Sequence, residues 1–425
     1  MHLSAEHWAN KAKQPDEVLK DERGILALAE EAFASDPHMV DLAAYADELT
    51  HAEVTDIILS MSKPYESELY YRDGGKVETA DYDGYERSLN LAELTDNVVV
   101  RFGMVLQRAD MRSWPTEDVV FKSQETIELD RFQENALFPA DMVAVLHESN
   151  DGQWVFVQSF NYAAWVQKDS IAIGQRNEIL DYKNAARFLV VTGSKVATNF
   201  NPHAPTISEL QLDMGVRLPL ADLEDATHNV DGQDHAASHA VRLPVRDEND
   251  ELGFRTALIA RSQDVQQGYL PFTRRNIVEQ AFKFLGDRYG WGHSYNARDC
   301  TGLVAEVYKS FGIQLPRNSG QQGLSPIGDS IQFTAASSEE EKLKAVKAAD
   351  VGDLLYSTGH VMLYLGTLED MPYVIHDLSG FGWAGDDGEV QEAVLNGVSV
   401  TPLMTLHSSR DTTYFEEIYA IKQIR

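Results

Sequence analysis

Cys300 is the only cysteine in a chain of 425 residues. It therefore has no internal disulfide partner, and its thiol is left to serve as a nucleophile, a metal ligand or a small buried hydrophobe. It sits in Arg298-Asp299-Cys300-Thr301-Gly302-Leu303, just after a glycine-rich stretch, Tyr289-Gly290-Trp291-Gly292. Beyond it Leu303, Val304, Val307 and Phe311 recur at helical spacing, and Gly312 supplies a stop. The thiol is thus expected at or near a helix N-terminus. Unpaired backbone N–H groups and the helix dipole there favour a thiolate and can also stabilise an oxyanion.

A thiolate nucleophile needs a base, and the base needs an orienting group. Two histidines follow in strand-like contexts. Gly359-His360-Val361-Met362-Leu363-Tyr364-Leu365-Gly366 reads as a strand with a histidine at its start, and Tyr373-Val374-Ile375-His376-Asp377 as the next strand. A hairpin of the two would set His360 beside His376, and a helix packed on that hairpin would bring Cys300 to His360. The plain alternative for His376 is a solvated histidine at a strand end. For Asp299 it is helix N-capping. A carboxylate aimed at the sulfur would raise the thiol pKa, so a working site would direct Asp299 elsewhere.

The motifs Arg298-Asp299-Cys300-Thr301-Gly302-Leu303, Leu315-Pro316-Arg317-Asn318-Ser319, Gly359-His360-Val361 and Ile375-His376 resemble, in order and spacing, the NlpC/P60 cysteine peptidases of bacterial cell walls. Tyr289-Gly290-Trp291-Gly292 and Gly352-Asp353 fit the same pattern. The resemblance implies a papain-like domain with Cys300 as nucleophile, His360 as base and His376 as the third polar residue. It implies hydrolysis of peptidoglycan stem peptides, between γ-D-glutamate and an L-diamino acid. It also implies that Asp299, with Thr301 and Ser319, pairs with a free N-terminal ammonium on the substrate, and that Tyr289 contacts the oxyanion or the substrate. Such a pocket would select trimmed peptides beginning with free L-Ala and make the enzyme one of murein peptide recycling. Two departures stand out: Thr301 replaces the commoner serine, and His293 stands where a second glycine is usual.

The composition sets bounds on the rest. The length exceeds one ordinary core, so several domains are expected. With 36 basic against 67 acidic residues, the net charge of −31 disfavours nucleic acid and anionic membranes as partners. No stretch is long and apolar enough for a transmembrane helix. The start, Met1-His2-Leu3-Ser4-Ala5-Glu6, lacks a basic region and an apolar core. The expected location is the cell envelope or periplasm if a leader has been removed, and otherwise the cytoplasm. No cofactor or metal is expected.

Taken in order, residues 1–95 read as a helical N-terminal stabilising segment. Ile25, Leu28, Ala29 and Phe33 form one stripe and Val54, Ile57, Ile58 and Met61 another. Trp8-Ala9 through Pro15-Asp16-Glu17-Val18 resembles the stabilising segment of longer family members. Residues 96–178 change to a period of two, with Asn150-Asp151-Gly152 as a hairpin turn. They resemble a bacterial SH3 domain. Its aromatic residues suit the core of a small barrel, and Tyr162 is marked, by the resemblance, as a substrate contact acting with an acid. Residues 185–265 resemble a second such domain. Its insert holds His228, His235 and His239, the last two able to chelate a metal only if helical. Residues 271–425 form the peptidase domain, an α+β unit.

The fold expected is therefore multi-domain α+β: a helical N-terminal segment, two small SH3-like β-barrels and a C-terminal papain-like domain. The function expected is that of a cysteine peptidase, a γ-D-glutamyl-L-diamino acid endopeptidase acting on L-Ala-γ-D-Glu-diamino acid stem peptides. The alternatives are an N-acetylmuramoyl-L-alanine amidase or an acyltransferase of the same fold, or a catalytically idle wall-binding SH3 protein.

Overall fold

The structure is a computed structural model that describes residues 2–125, 127–222, 229–385 and 389–425. It divides into two units: Met1–Met39 with Tyr269–Gly290 and Asn296–Arg425, and Val40–Gly268 with Trp291–Tyr295.

The first unit is built on a six-stranded antiparallel sheet. Its strands run in the order Asp329–Gln332, Ala420–Gln423, Leu354–Ser357, His360–Leu368, Met371–Ala384 and Val390–Pro402. The central strands are apolar in continuous runs because both faces are covered. One face meets the helix Cys300–Lys309, on which the helix Arg274–Phe282 packs in turn. The other carries a cluster of Val346, Leu355, Met362, Tyr364, Val374, Leu403, Phe415, Ile418 and Ile421. Each such buried side chain contributes roughly 1.5–3 kcal/mol. Thr273 caps the first helix by accepting from Asn276 N at 3.1 Å, and Gly286 follows with φ +86°. The Leu354–Ser357 and His360–Leu368 strands pair Ser357 with His360. The turn between them needs Gly359 at φ +71°. That glycine fixes where the histidine strand starts.

The expected 1–95 segment is shared between the units. Its first 39 residues belong with the six-stranded sheet. The strand Val18–Lys20 pairs with Phe272–Thr273, Arg274 meets Glu17 at 3.2 Å, and Arg275 N donates to Pro15 O at 2.9 Å. Trp8 is fully buried and donates through Nε1 to His2 O at 2.8 Å. These contacts clamp the start of the helix Arg274–Phe282. Residues from Val40 onward, including the helix His51–Met61 with buried Val54 and Ile58, belong to the second unit.

The second unit holds a seven-stranded antiparallel sheet: Ile171–Gly174, Arg101–Val105, Met142–Glu148, Trp154–Gln158, Ala163–Gln167, Ala109–Arg112 and Gln133–Leu137. Gly152, at φ +70°, turns Met142–Glu148 into Trp154–Gln158 as the sequence predicts. Phe156 and Trp165 are fully buried, ring centroids 5.3 Å apart. The later β-region comprises a three-stranded sheet around Phe188–Val191 and a long hairpin, Ser238–Arg246 with Leu252–Ala260. One apolar cluster runs continuously from Leu42 through Trp165 to Ile259, so the two β-regions share a core.

Candidate active site

Cys300 opens the helix Cys300–Lys309, as its spacing predicts. Asp299 is the N-cap: its Oδ1 accepts from Gly302 N at 2.9 Å and from Thr301 Oγ1 at 2.8 Å. Arg317 closes this carboxylate from the other side, with Nη2 2.6 Å from Oδ2, and also donates to Thr301 Oγ1. Both partners of the ion pair are buried, with side-chain exposures of 7% and 9%. Asp299 thus takes the capping alternative and pairs with Arg317. Its charge still bears on the sulfur.

The thiol is buried. Burial pushes it up to about 12, and the Asp299 and Asp377 carboxylates push the same way; the Val361 amide, donating to the sulfur, and Arg317 oppose them. The helix N-terminus alone therefore does not produce the thiolate that sequence reasoning expects. Desolvation outweighs the dipole.

Val361 follows His360 in sequence, so its bond to the sulfur places the start of the histidine strand at the helix N-terminus. His360 Nε2 lies 2.8 Å from His376 Nδ1, and His376 Nε2 lies 2.9 Å from Thr401 Oγ1. All three residues are buried. Burial lowers His360 to about 4, against an opposing pull from Asp299. Burial also lowers His376 well below the usual histidine range, with His360 adding to the effect. At neutral pH both rings are neutral. Only two proton orders satisfy such a chain. If Thr401 accepts from His376 Nε2–H and His376 Nδ1 accepts from His360 Nε2–H, then His360 Nδ1 carries a free lone pair. That tautomer is the one able to take a proton from the thiol. The resting pair is thus a neutral thiol and a neutral imidazole.

Around them stand two phenols. The Tyr414 ring lies 5.0 Å from that of His360, and its hydroxyl is raised to about 12, first by burial and then by the charge at Cys300. Tyr289 is buried beside Arg298, and its phenol is raised by burial and by the charges of Cys300, Asp299 and Asp377. Both therefore remain donors near the sulfur. Ser319 begins the short helix Ser319–Leu324; its carbonyl accepts from Tyr419 at 3.1 Å. The member of this turn that reaches Asp299 and Thr301 is Arg317. Tyr162, in the second unit, donates to Glu134 Oε2 at 2.6 Å. Glu134 is thus the acidic side chain that Tyr162 meets.

Thr401, Arg317, Asp377 and Tyr414 are absent from the sequence-derived set. Of these, Arg317 lies inside a quoted motif and Asp377 is next to His376; the other two carry no local signal. In the histidine-rich insert, His228 lies outside the described residues. His235 sits in a turn and His239 on a strand, so the helical pairing does not form. Among the described residues no group of three or more His, Cys, Asp or Glu is placed to hold a metal. No helix among them is long and apolar enough to cross a membrane.

An α+β unit with a cysteine at a helix N-terminus and a buried histidine pair on the adjoining strands defines a Cys–His–His class of site. The particular family follows from comparison. Residues 286–410 match the NlpC/P60 family and residues 120–167 match an SH3 domain of the SH3b1 type, so the chain carries both. Over 118 residues it is 33% identical to a probable endopeptidase p60 of Listeria seeligeri and 31% identical to that of Listeria welshimeri. The match takes in 25% of this chain and 20% of each relative, so the chain spans a fifth of their length. An NlpC/P60 endopeptidase from Photobacterium damselae subsp. piscicida shares the fold at TM-score 0.75 and 19% identity, over 98% of this chain and 96% of that one. An NlpC/P60 family protein from Bacillus cereus ATCC 10987 does so at TM-score 0.50 and 18% identity, over 76% and 99%.

Proposed function

We propose that this protein is a peptidoglycan hydrolase, a cysteine endopeptidase cutting the γ-D-glutamyl–L-diamino acid bond of stem peptides. The observation that carries the reading is the buried chain Thr401–His376–His360, ending at the strand whose Val361 amide bonds the Cys300 sulfur. His360 Nδ1 takes the thiol proton as sulfur attacks the scissile carbonyl, so the ion pair forms only during attack. Tyr289 and the helix N-terminal amides are the donors available to the oxyanion. His360 then passes the proton to the leaving amine, and water attacks the acyl-enzyme with His360 as base.

Asp299, Thr301 and Ser319 are proposed as contacts for a free N-terminal L-Ala; Tyr162 is carried separately as a proposed substrate contact on the family resemblance. The Arg317 pairing gives Asp299 a second duty, since a substrate ammonium would share the carboxylate with a guanidinium. The cell wall is the proposed place of the substrate; no cofactor enters the reaction.

The test is mass spectrometry of L-Ala-γ-D-Glu-diaminopimelate after incubation with the parent and with Cys300→Ala. Release of L-Ala-γ-D-Glu by the parent alone is expected. Release only from sugar-linked or longer peptides would overturn the free-amine pocket. Release of whole stem peptides would identify an amidase, and wall binding without any cleavage an idle binding protein.

A further inference from the structure

Asp377 follows His376, so strand alternation turns its side chain to the opposite face of the sheet, the face packed by the cysteine helix. It is fully buried, and neither carboxyl oxygen has a hydrogen-bond partner among the described residues. An ionised carboxyl in that state is disfavoured by desolvation, so the group keeps its proton.

The charges around it point the same way. Glu306 faces it from the cysteine helix, Asp299 from the N-cap and Asp287 from the segment after the first helix. Arg298 is already engaged by Glu306 at 3.2 Å and Asp287 at 2.9 Å, and Arg317 by Asp299. Three carboxylates therefore face two arginines before Asp377 is counted. A fourth negative charge would sit where Cys300 and Tyr289 both feel it.

Resting on the reading of Cys300 as nucleophile, we propose that Asp377 is a positioning residue for the thiol, held as a neutral carboxylic acid so that the nucleophile's surroundings gain no further negative charge. While neutral, it fills the space under the helix N-terminus without opposing thiolate formation. Once ionised, it disfavours the developing thiolate and shuts the site at alkaline pH. Burial, the largest cause, together with the neighbouring acids lifts the carboxyl to about 8, against the pull of Arg298, which sets where the change falls.

Two measurements test this without any peptide substrate, so the result does not depend on which bond the enzyme cuts. In the parent, infrared spectroscopy should show a protonated-carboxyl band at neutral pH that is lost as the pH passes about 8. Its absence at neutral pH would overturn the proposal. In the second, Cys300 is alkylated with iodoacetamide across the pH range in the parent, Asp377→Asn and Asp377→Ser. The neutral variants should react at least about threefold faster than the parent above that pH, a displacement of half a unit, and alike below it. Curves that coincide throughout in a folded variant would overturn the proposal, even if peptidase activity is present.

Discussion

His360 Nε2 and His376 Nδ1 lie 2.8 Å apart with both rings buried, and His376 is held in turn by Thr401 at 2.9 Å. The spacing makes His376 the residue that sets the tautomer of His360. His376→Ala is expected to lower kcat by about 10²–10⁴-fold, with a much smaller change in KM. His376→Asn, which can still accept from His360, should lose less. Thr401→Val removes an outer hydrogen bond worth about 1 kcal/mol, or roughly fivefold in kcat. Steady-state kinetics of the three variants checks the order; equal losses would place Thr401 and His376 in one inseparable unit.

The acid limb of kcat/KM should lie near pH 4, where burial places His360, not in the ordinary histidine range. The sign for stability follows. His360 binds its proton less readily when folded, so between about 4 and 6.5 the unfolded chain holds more protons. The contribution of the neutral ring is present above about 6.5 and is lost as the pH falls through about 4. Thermal melts of the parent should fall across that window, and His360→Gln should flatten the slope.

The sequence makes the cysteine helix legible because its start, apolar stripe and stop are all local: Asp299, Leu303 to Phe311, and Gly312. It makes the histidine strands legible because Gly359 and the apolar runs mark them. It cannot show Thr401, which reaches His376 only through the pairing of Met371–Ala384 with Val390–Pro402. It cannot show that Asp377 points where no described residue hydrogen-bonds it, since that depends on what packs on the other face. Nor does an amphipathic stripe name its partner, which is why residues 1–95 read as one segment although they divide after Met39. The expected thiolate failed for the same reason: the helix end is visible in sequence, its burial is not.

Gly359→Ala is a test of the turn alone. A Cβ there meets nothing within 4 Å, so the cost comes only from φ +71°. About 1–2 kcal/mol of stability should be lost. Because the turn sets the start of the His360 strand, kcat should fall as well, while Ser357→Ala, on the same turn, leaves the backbone conformation unaltered. Denaturant melts with parallel kinetics separate the two effects.

Arg317 and Asp299 form a buried ion pair at 2.6 Å. Removing one partner strands the other. Arg317→Met is expected to cost about 3–5 kcal/mol, because Asp299 is left charged beside the thiol. It should also slow alkylation of Cys300, since Arg317, which lowers the thiol, is gone while Asp299, which raises it, remains. Adding Asp299→Asn to that background removes the stranded charge. The double variant should recover part of the stability and part of the thiol reactivity, although the helix N-terminus loses a charge worth about 0.3–1 kcal/mol. A double variant less stable than Arg317→Met would show that the charge at the helix N-terminus outweighs the cost of stranding it. Recovery of alkylation without recovery of peptide cleavage would identify Asp299 as a substrate contact as well as a capping residue.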